Sequence, residues 1–172
     1  MNIPISFSIV LSVFLLGCSN STFPVESKPF TQQNSLQLQT ENLGQMLPIG
    51  AKAIMGGEVI ELEVTETPEQ KMLGLMFRKH LPDNRGMLFP LDPPQYPRFW
   101  MKNVKISLDM IFLRDGIIQA IAQNVPPCTA TPCPTYGPQI LIDRVIELRG
   151  GRAAELGLAV GDRVKIEYLE TP

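Results

Sequence analysis

The sequence predicts an α+β domain that is mainly β, a compact antiparallel β-barrel or rolled sheet with two short helices. Three observations carry that prediction. Apolar runs flank tight-turn dipeptides at Gly56-Gly57 and Asp115-Gly116, a pattern of hairpins. Two short stretches carry helix signals. Sixteen prolines and thirteen glycines among 172 residues call for many turns between short elements, while a 44% hydrophobic fraction supplies a packed core.

Each element follows in chain order. Residues Ala51 to Met55 and Glu58 to Thr65 form the first hairpin, in which Ile60, Leu62 and Val64 alternate with Glu61, Glu63 and Thr65, leaving one wet face. Thr67 caps a helix that has Pro68 at its first position and Gln70 where a capping box requires it. The helix is expected to run to about Met76, with Met72, Leu75 and Met76 on one core-facing side. Met87 to Phe89 is a short strand, PLDPPQYPR a loop, and Phe99 to about Asn103 another strand. Leu108 to Arg114 and Ile117 to Gln123 form the second hairpin, whose Asp-Gly turn accepts the positive φ of type I′. Val125 to Pro138 holds five prolines and two cysteines and reads as loop. A last strand pair, Arg144 to Leu148 and Arg163 to Tyr168, brackets a short helix at Arg152 to Leu156, with Gly157 as its left-handed cap.

Before this domain lies a different kind of sequence. Residues 1–17 read as a signal peptide: the apolar stretch from Ile3 to Leu16 is shorter than the roughly 20 residues of a membrane-spanning helix. Its start, MNIPISFS, carries no Lys or Arg. The string LLGC at 15–18 resembles a lipobox, which implies lipidation at Cys18. Acyl chains there would hold the protein on a bilayer at about 0.8 kcal/mol per buried methylene. Residues 18–48, rich in Ser, Thr, Gln and Asn, read as a lipid-anchored flexible linker, and 49–172 as a single β-rich domain. The expected location is therefore outside the cytoplasm, lipid-anchored to the cell envelope on a periplasmic or extracellular face. The membrane is the expected partner through Cys18, and Ser19 resembles the outer-membrane sorting pattern.

Five ordered motifs carry a family resemblance. GLMFR at 74–78, GMLFP at 86–90, FWMKNV at 99–104, LDMIFL at 108–113, and VIELRGG through GLAVGDRV at 145–164 are similar to the domain of unknown function 192 family. The resemblance spans about Glu58 to Ile166. It implies a compact β-rich domain with a helix near its start, and it implies no activity.

For chemistry the residues offer few candidates. Fifteen basic against seventeen acidic residues, with no Lys/Arg run, argue against nucleic acid. Cys128 and Cys133 are expected to form a disulfide in an exported chain, stabilising by on the order of 2 kcal/mol. No metal site or cofactor is expected, because two cysteines without His or further Cys make poor metal chemistry. A tentative ligand pocket comprises Arg78, Trp100, Asn103 and Asp109, where ring stacking and charge would hold a flat or anionic ligand. The plainer reading makes Phe99 and Met101 core, Trp100 a cover for a sheet edge, and Arg78 with Asp109 a structural ion pair. His80, the one histidine, reads as a helix-end residue. No catalytic residue is assigned. The leading expectation is a non-catalytic binding or accessory domain with a small-molecule or envelope-protein partner. One alternative is a hydrolase or transferase acting on an envelope polymer, with Asp109 as general base and Arg78 orienting it; the other is a structural part of an envelope complex.

Overall fold

The computed structural model describes residues 44–170; the expected signal peptide, Cys18 and the linker up to residue 43 lie outside them. Strands β1 (Ile49–Met55), β2 (Glu58–Val64), β3 (Arg85–Gln95), β5 (Leu108–Arg114), β6 (Ile117–Val125), β8 (Ile142–Arg149) and β9 (Lys165–Tyr168) make one seven-stranded sheet, in the order β6-β5-β8-β3-β2-β1-β9. Strands β4 (Phe99–Trp100) and β7 (Thr135–Tyr136) make a separate pair, so the proline-rich loop after β6 contains a short strand that its composition hides.

The mainly β, α+β architecture is as expected, with the rolled sheet in place of a closed barrel. The outer strands β6 and β9 approach at one end through an isolated bridge between Ile117 and Arg163, and elsewhere the edges stay apart. Nor is the sheet wholly antiparallel. β2 and β3 run parallel, pairing Glu61 with Arg85 through Val64 with Leu88, because helix α1 (Pro68–Leu73) and the segment after it carry the chain back to the start of the sheet. The two last strands flank helix α2 (Arg152–Glu155) without being neighbours: β8 lies between β3 and β5, and β9 pairs with β1.

Both expected hairpin turns hold, with positive φ at Gly56, Gly57, Asp115 and Gly116. The capping box at Thr67 and Gln70 is present as well. The helix it starts is shorter than expected, ending at Leu73 because Gly74 takes φ 46° and turns the chain away. Met72 consequently does not share the core with Leu75 and Met76; it is 68% exposed while those two are buried. His80 lies seven positions beyond the helix, so the helix-end reading of that residue does not hold.

Two apolar layers form because β5 and β8 are buried on both sides. On one side Leu62, Leu88, Ile111, Ile146 and Leu148 pack inside the roll, closed by Ala153 and Leu156 of the α2 region. On the other, Met87, Phe89, Met110, Phe112 and Val145 are covered by Leu75, Met76 and Leu81 after α1, and by Met101 and Val104 after β4. Each fully buried Leu, Ile, Phe or Met contributes roughly 1.5–3 kcal/mol. The second layer positions the site described next.

Candidate functional site

Two of the four residues expected to form a pocket are buried and engaged by other groups of the fold. Asp109 is fully buried; its Oδ1 accepts from the backbone N–H of Asn124 at 2.6 Å and of Gly151 at 3.0 Å, and its Oδ2 from Ala153 at 2.7 Å. It joins β6 to the loop and first turn of α2. Arg78 does not pair with it. Its guanidinium forks onto the buried Glu63, with Nη1 2.7 Å from Oε1 and Nη2 on Oε2, and its Nε donates to the Gln45 carbonyl at 2.9 Å. The same Glu63 accepts from the Leu47 backbone at 2.7 Å, and the Gln45 amide donates to the Gln70 and Gly74 carbonyls at 2.8 and 2.9 Å. Residues 45–47, read from composition as linker, are thus strapped to the domain by this buried pair. The expected Arg78–Asp109 pair fails because Asp109's oxygens are occupied and a different carboxylate lies beside Arg78.

Removing one member of a buried pair leaves an uncompensated charge, at a cost of about 3 kcal/mol. Arg78→Met should therefore lower the unfolding free energy by about 3 kcal/mol. It should also expose the chain near Gln45 to protease, seen by urea titration and limited proteolysis.

Trp100 and Asn103 remain together near the surface. Asn103 is in a turn with φ 59°, not on a strand; its carbonyl accepts from Phe77 N–H at 2.9 Å and its amide reaches the Met76 sulfur at 3.8 Å. Trp100, 43% exposed, stands between two depressions. One, of about 460 Å³, is lined by Lys102, Asn103 and the loop closed by the Cys128–Cys133 disulfide. The other, of about 430 Å³, is a groove between α1 and the chain that leads into β4. Met72 and Tyr96, both exposed, stand with Trp100 along it, Phe89 and Phe99 form its floor, and Lys71 and Arg98 add positive charge.

The floor of the groove is packed from below. Phe99 meets Phe89 edge-on at 5.1 Å between ring centroids and Phe112 at 6.2 Å, fixing the floor from below. Pairing of Trp100 with Thr135, and of the Arg98 guanidinium with the Thr135 hydroxyl at 3.3 Å, ties its wall to β7. The disulfide loop is held to this wall by the Cys128 N–H, which donates to the Met101 carbonyl at 3.2 Å. Lys102 lies 5.3 Å from the centre of the indole ring, on a face that attracts cations.

Below the groove lies a residue that the pattern of the sequence concealed. Glu147 of β8 is 4% exposed, on the same side of the sheet as Val145, in register with Met87 of β3 and Met110 of β5. It lines a cleft of about 30 Å³ that shares Lys71, Met72, Phe89, Phe99 and Trp100 with the groove above. Burial pushes its carboxyl up to about 8. A signal was present in VIEL at 145–148, where one carboxylate interrupts an otherwise apolar strand: a run buried on both faces puts that carboxylate inside.

Comparison with known proteins agrees with the architecture. Residues 51–166 match the DUF192 family model, described as "Uncharacterized ACR". A crystal structure of a protein of unknown function from Novosphingobium aromaticivorans is similar, with 34% identity, a TM-score of 0.61, and coverage of 67% of this chain and 83% of that one. So is a candidate transcription regulator from Sinorhizobium meliloti 1021, with 29% identity, a TM-score of 0.62, and coverage of 71% and 97%. Comparison with curated proteins gave no match.

Proposed function

The chain belongs to the domain of unknown function 192 family, and from that premise we propose that it is a ligand-binding domain, exported and held at the cell envelope by lipid on Cys18. The observation that carries the binding reading is the groove itself. Met72, Tyr96 and Trp100 stand exposed beside it, over a floor of Phe89 and Phe99 fixed by the packing beneath. Surface aromatics of this kind stack on flat or ring-shaped molecules, and the cations Lys71 and Arg98 favour a ligand with negative charge. Glycosidic hydrolysis by the usual paired carboxylates finds no support here, because Glu147 is the one carboxylate among the groove and cleft residues. Asp109, the base of the enzymatic alternative, has both oxygens engaged by backbone N–H groups.

Support for the location is the LLGC string after the apolar stretch, together with a disulfide, which suits an oxidising compartment. The two halves of the proposal are tested together by fractionating cells that express the wild type and Cys18→Ser. The wild type should sediment with membranes and the variant should be recovered in the soluble exported fraction. A Cys18→Ser protein that still sediments fully would remove the anchor. In parallel, Trp100, the one tryptophan, reports the groove: its emission should shift when small molecules extracted from the envelope are added back to refolded protein. An unchanged spectrum over all fractions would count against binding there.

A further inference from the structure

We infer that the groove face is the side on which the domain rests against a bilayer, with Lys71, Arg98 and Lys102 over anionic lipid headgroups and Met72, Tyr96 and Trp100 at the interface. This rests on the lipid anchor and the groove proposed above, and it names the partner that the face meets.

Met72, Tyr96 and Trp100 stand exposed although each has a large apolar body. The exposed Leu141 extends the same patch, because Gln95 pairs with Ile142 and the antiparallel register sets Leu141 beside Tyr96. Contiguous exposed apolar side chains mark an interaction surface. Trp and Tyr gather where a bilayer meets water, since each joins an apolar ring to a polar N–H or O–H.

Charge on the face suits anionic lipid. The whole chain has a net charge of -2, yet the two depressions beside Trp100 are lined by three cations and no carboxylate. Arg98 and Lys102 are exposed, and the half-buried Lys71 has the long apolar stem that lets an ammonium reach headgroups. Lys102 lies 5.3 Å from the centre of the indole ring, so charge and aromatic surface stand side by side.

An acidic protein would meet the same cations; the path of the chain favours a membrane. The chain that leads from Cys18 joins the domain beside this face. There the Gln45 side-chain amide donates to the Gln70 and Gly74 carbonyls at the end of α1, the helix whose Lys71 and Met72 wall the groove. Gly74 itself lies against the floor, where a Cβ would be 3.3 Å from the Phe89 ring. Acyl chains on Cys18 thus bring the bilayer to this side of the domain. A second contact in a tethered molecule is intramolecular, so a face too weak to hold a free domain still orients an anchored one. A groove turned this way takes its ligand from the headgroup layer.

The test uses the mature chain from residue 18 onward carrying Cys18→Ser, so that neither signal nor acyl chain contributes. At low salt, vesicles of phosphatidylcholine mixed with phosphatidylglycerol should sediment it and move the Trp100 emission to shorter wavelength. Each cation near an anionic surface strengthens binding about fivefold, so three give about 100-fold. Pure phosphatidylcholine should therefore bind about 100-fold more weakly, and the combined variant Lys71→Gln, Arg98→Gln, Lys102→Gln should lose the same factor. Lys165→Gln, on β9 and outside both depressions, should stay within about twofold of its parent.

No binding at low salt, equal binding to both kinds of vesicle, or a combined variant that loses no more than Lys165→Gln overturns the inference. So does an emission shift reproduced in full by glycerophosphoglycerol, the soluble headgroup, which would make the face a site for a small anion. The anchor and the groove are judged separately, the first by sedimentation of the wild type with cell membranes and the second by the native mass of the purified protein.

Discussion

Asp109→Ala should lower the unfolding free energy by roughly 3 kcal/mol, because the buried N–H of Ala153 left without a partner costs about 1–3 kcal/mol and the less buried N–H groups of Asn124 and Gly151 lose the same acceptor. The donors belong to Asn124, Gly151 and Ala153, on β6, the loop before α2 and the first turns of α2, so loss of the carboxylate loosens the end of the roll that Ala153 and Leu156 close. Asp109→Asn should fall between, since its amide retains one acceptor oxygen and presents N–H groups where acceptance is needed. Urea titration monitored by Trp100 measures both. A loss under about 1 kcal/mol for the alanine variant would show that those N–H groups find other partners, and would reopen Asp109 to the catalytic role that its burial argues against.

Glu147 should behave in the opposite direction. Its folded-state value of about 8 lies above the ordinary 4.5, so the folded protein binds more protons than the unfolded chain between those two pH values. Stability contributed by the neutral carboxyl is complete below about pH 4.5, declines as pH rises, and is fully lost above about pH 8. A difference of 8 minus 4.5, at about 1.4 kcal/mol per unit, sets an upper bound on the order of 5 kcal/mol. Glu147→Met removes that ionisation and fills the site with a side chain of similar length. It should gain several kcal/mol over the wild type at pH 9 and little at pH 4. Denaturation curves at the two pH values decide the matter: equal differences at both would mean that Glu147 is ionised within the fold and has a partner.

Local chemistry was legible in the sequence, and long-range placement was not. The turns at Gly56-Gly57 and Asp115-Gly116 could be read because positive φ is a property of the dipeptide, and the cap at Thr67 because its partners lie within three residues. The strand after Pro68–Leu73 was legible as Met87 to Phe89, but nothing in its residues shows that it returns parallel to β2. Helix α1 stops early because Gly74 leaves the helical conformation, and the apolar spacing of Leu75 and Met76 continues beyond it by coincidence of packing. Arg78 was read as a pocket residue or as the partner of Asp109 in an ion pair, yet its carboxylate proved to be Glu63, which the alternation of β2 had placed on the wet face. Residues 45–47 complete that pair and cover it, so a face that is solvated in the isolated hairpin becomes interior. Trp100 lines a groove whose other residues Met72, Tyr96 and Arg98 come from a helix and a proline-rich loop that only the folded chain brings together.

The claim on which the rest depends is that the groove holds a small molecule, and native mass spectrometry of the full chain purified from the cells that make it tests this most directly. The wild type should carry a reproducible extra mass that disappears on denaturation, and Trp100→Ala, folded to the same extent, should carry little or none of it. A bare wild-type mass, or an adduct retained unchanged by Trp100→Ala, would contradict the assignment of the groove as the binding site.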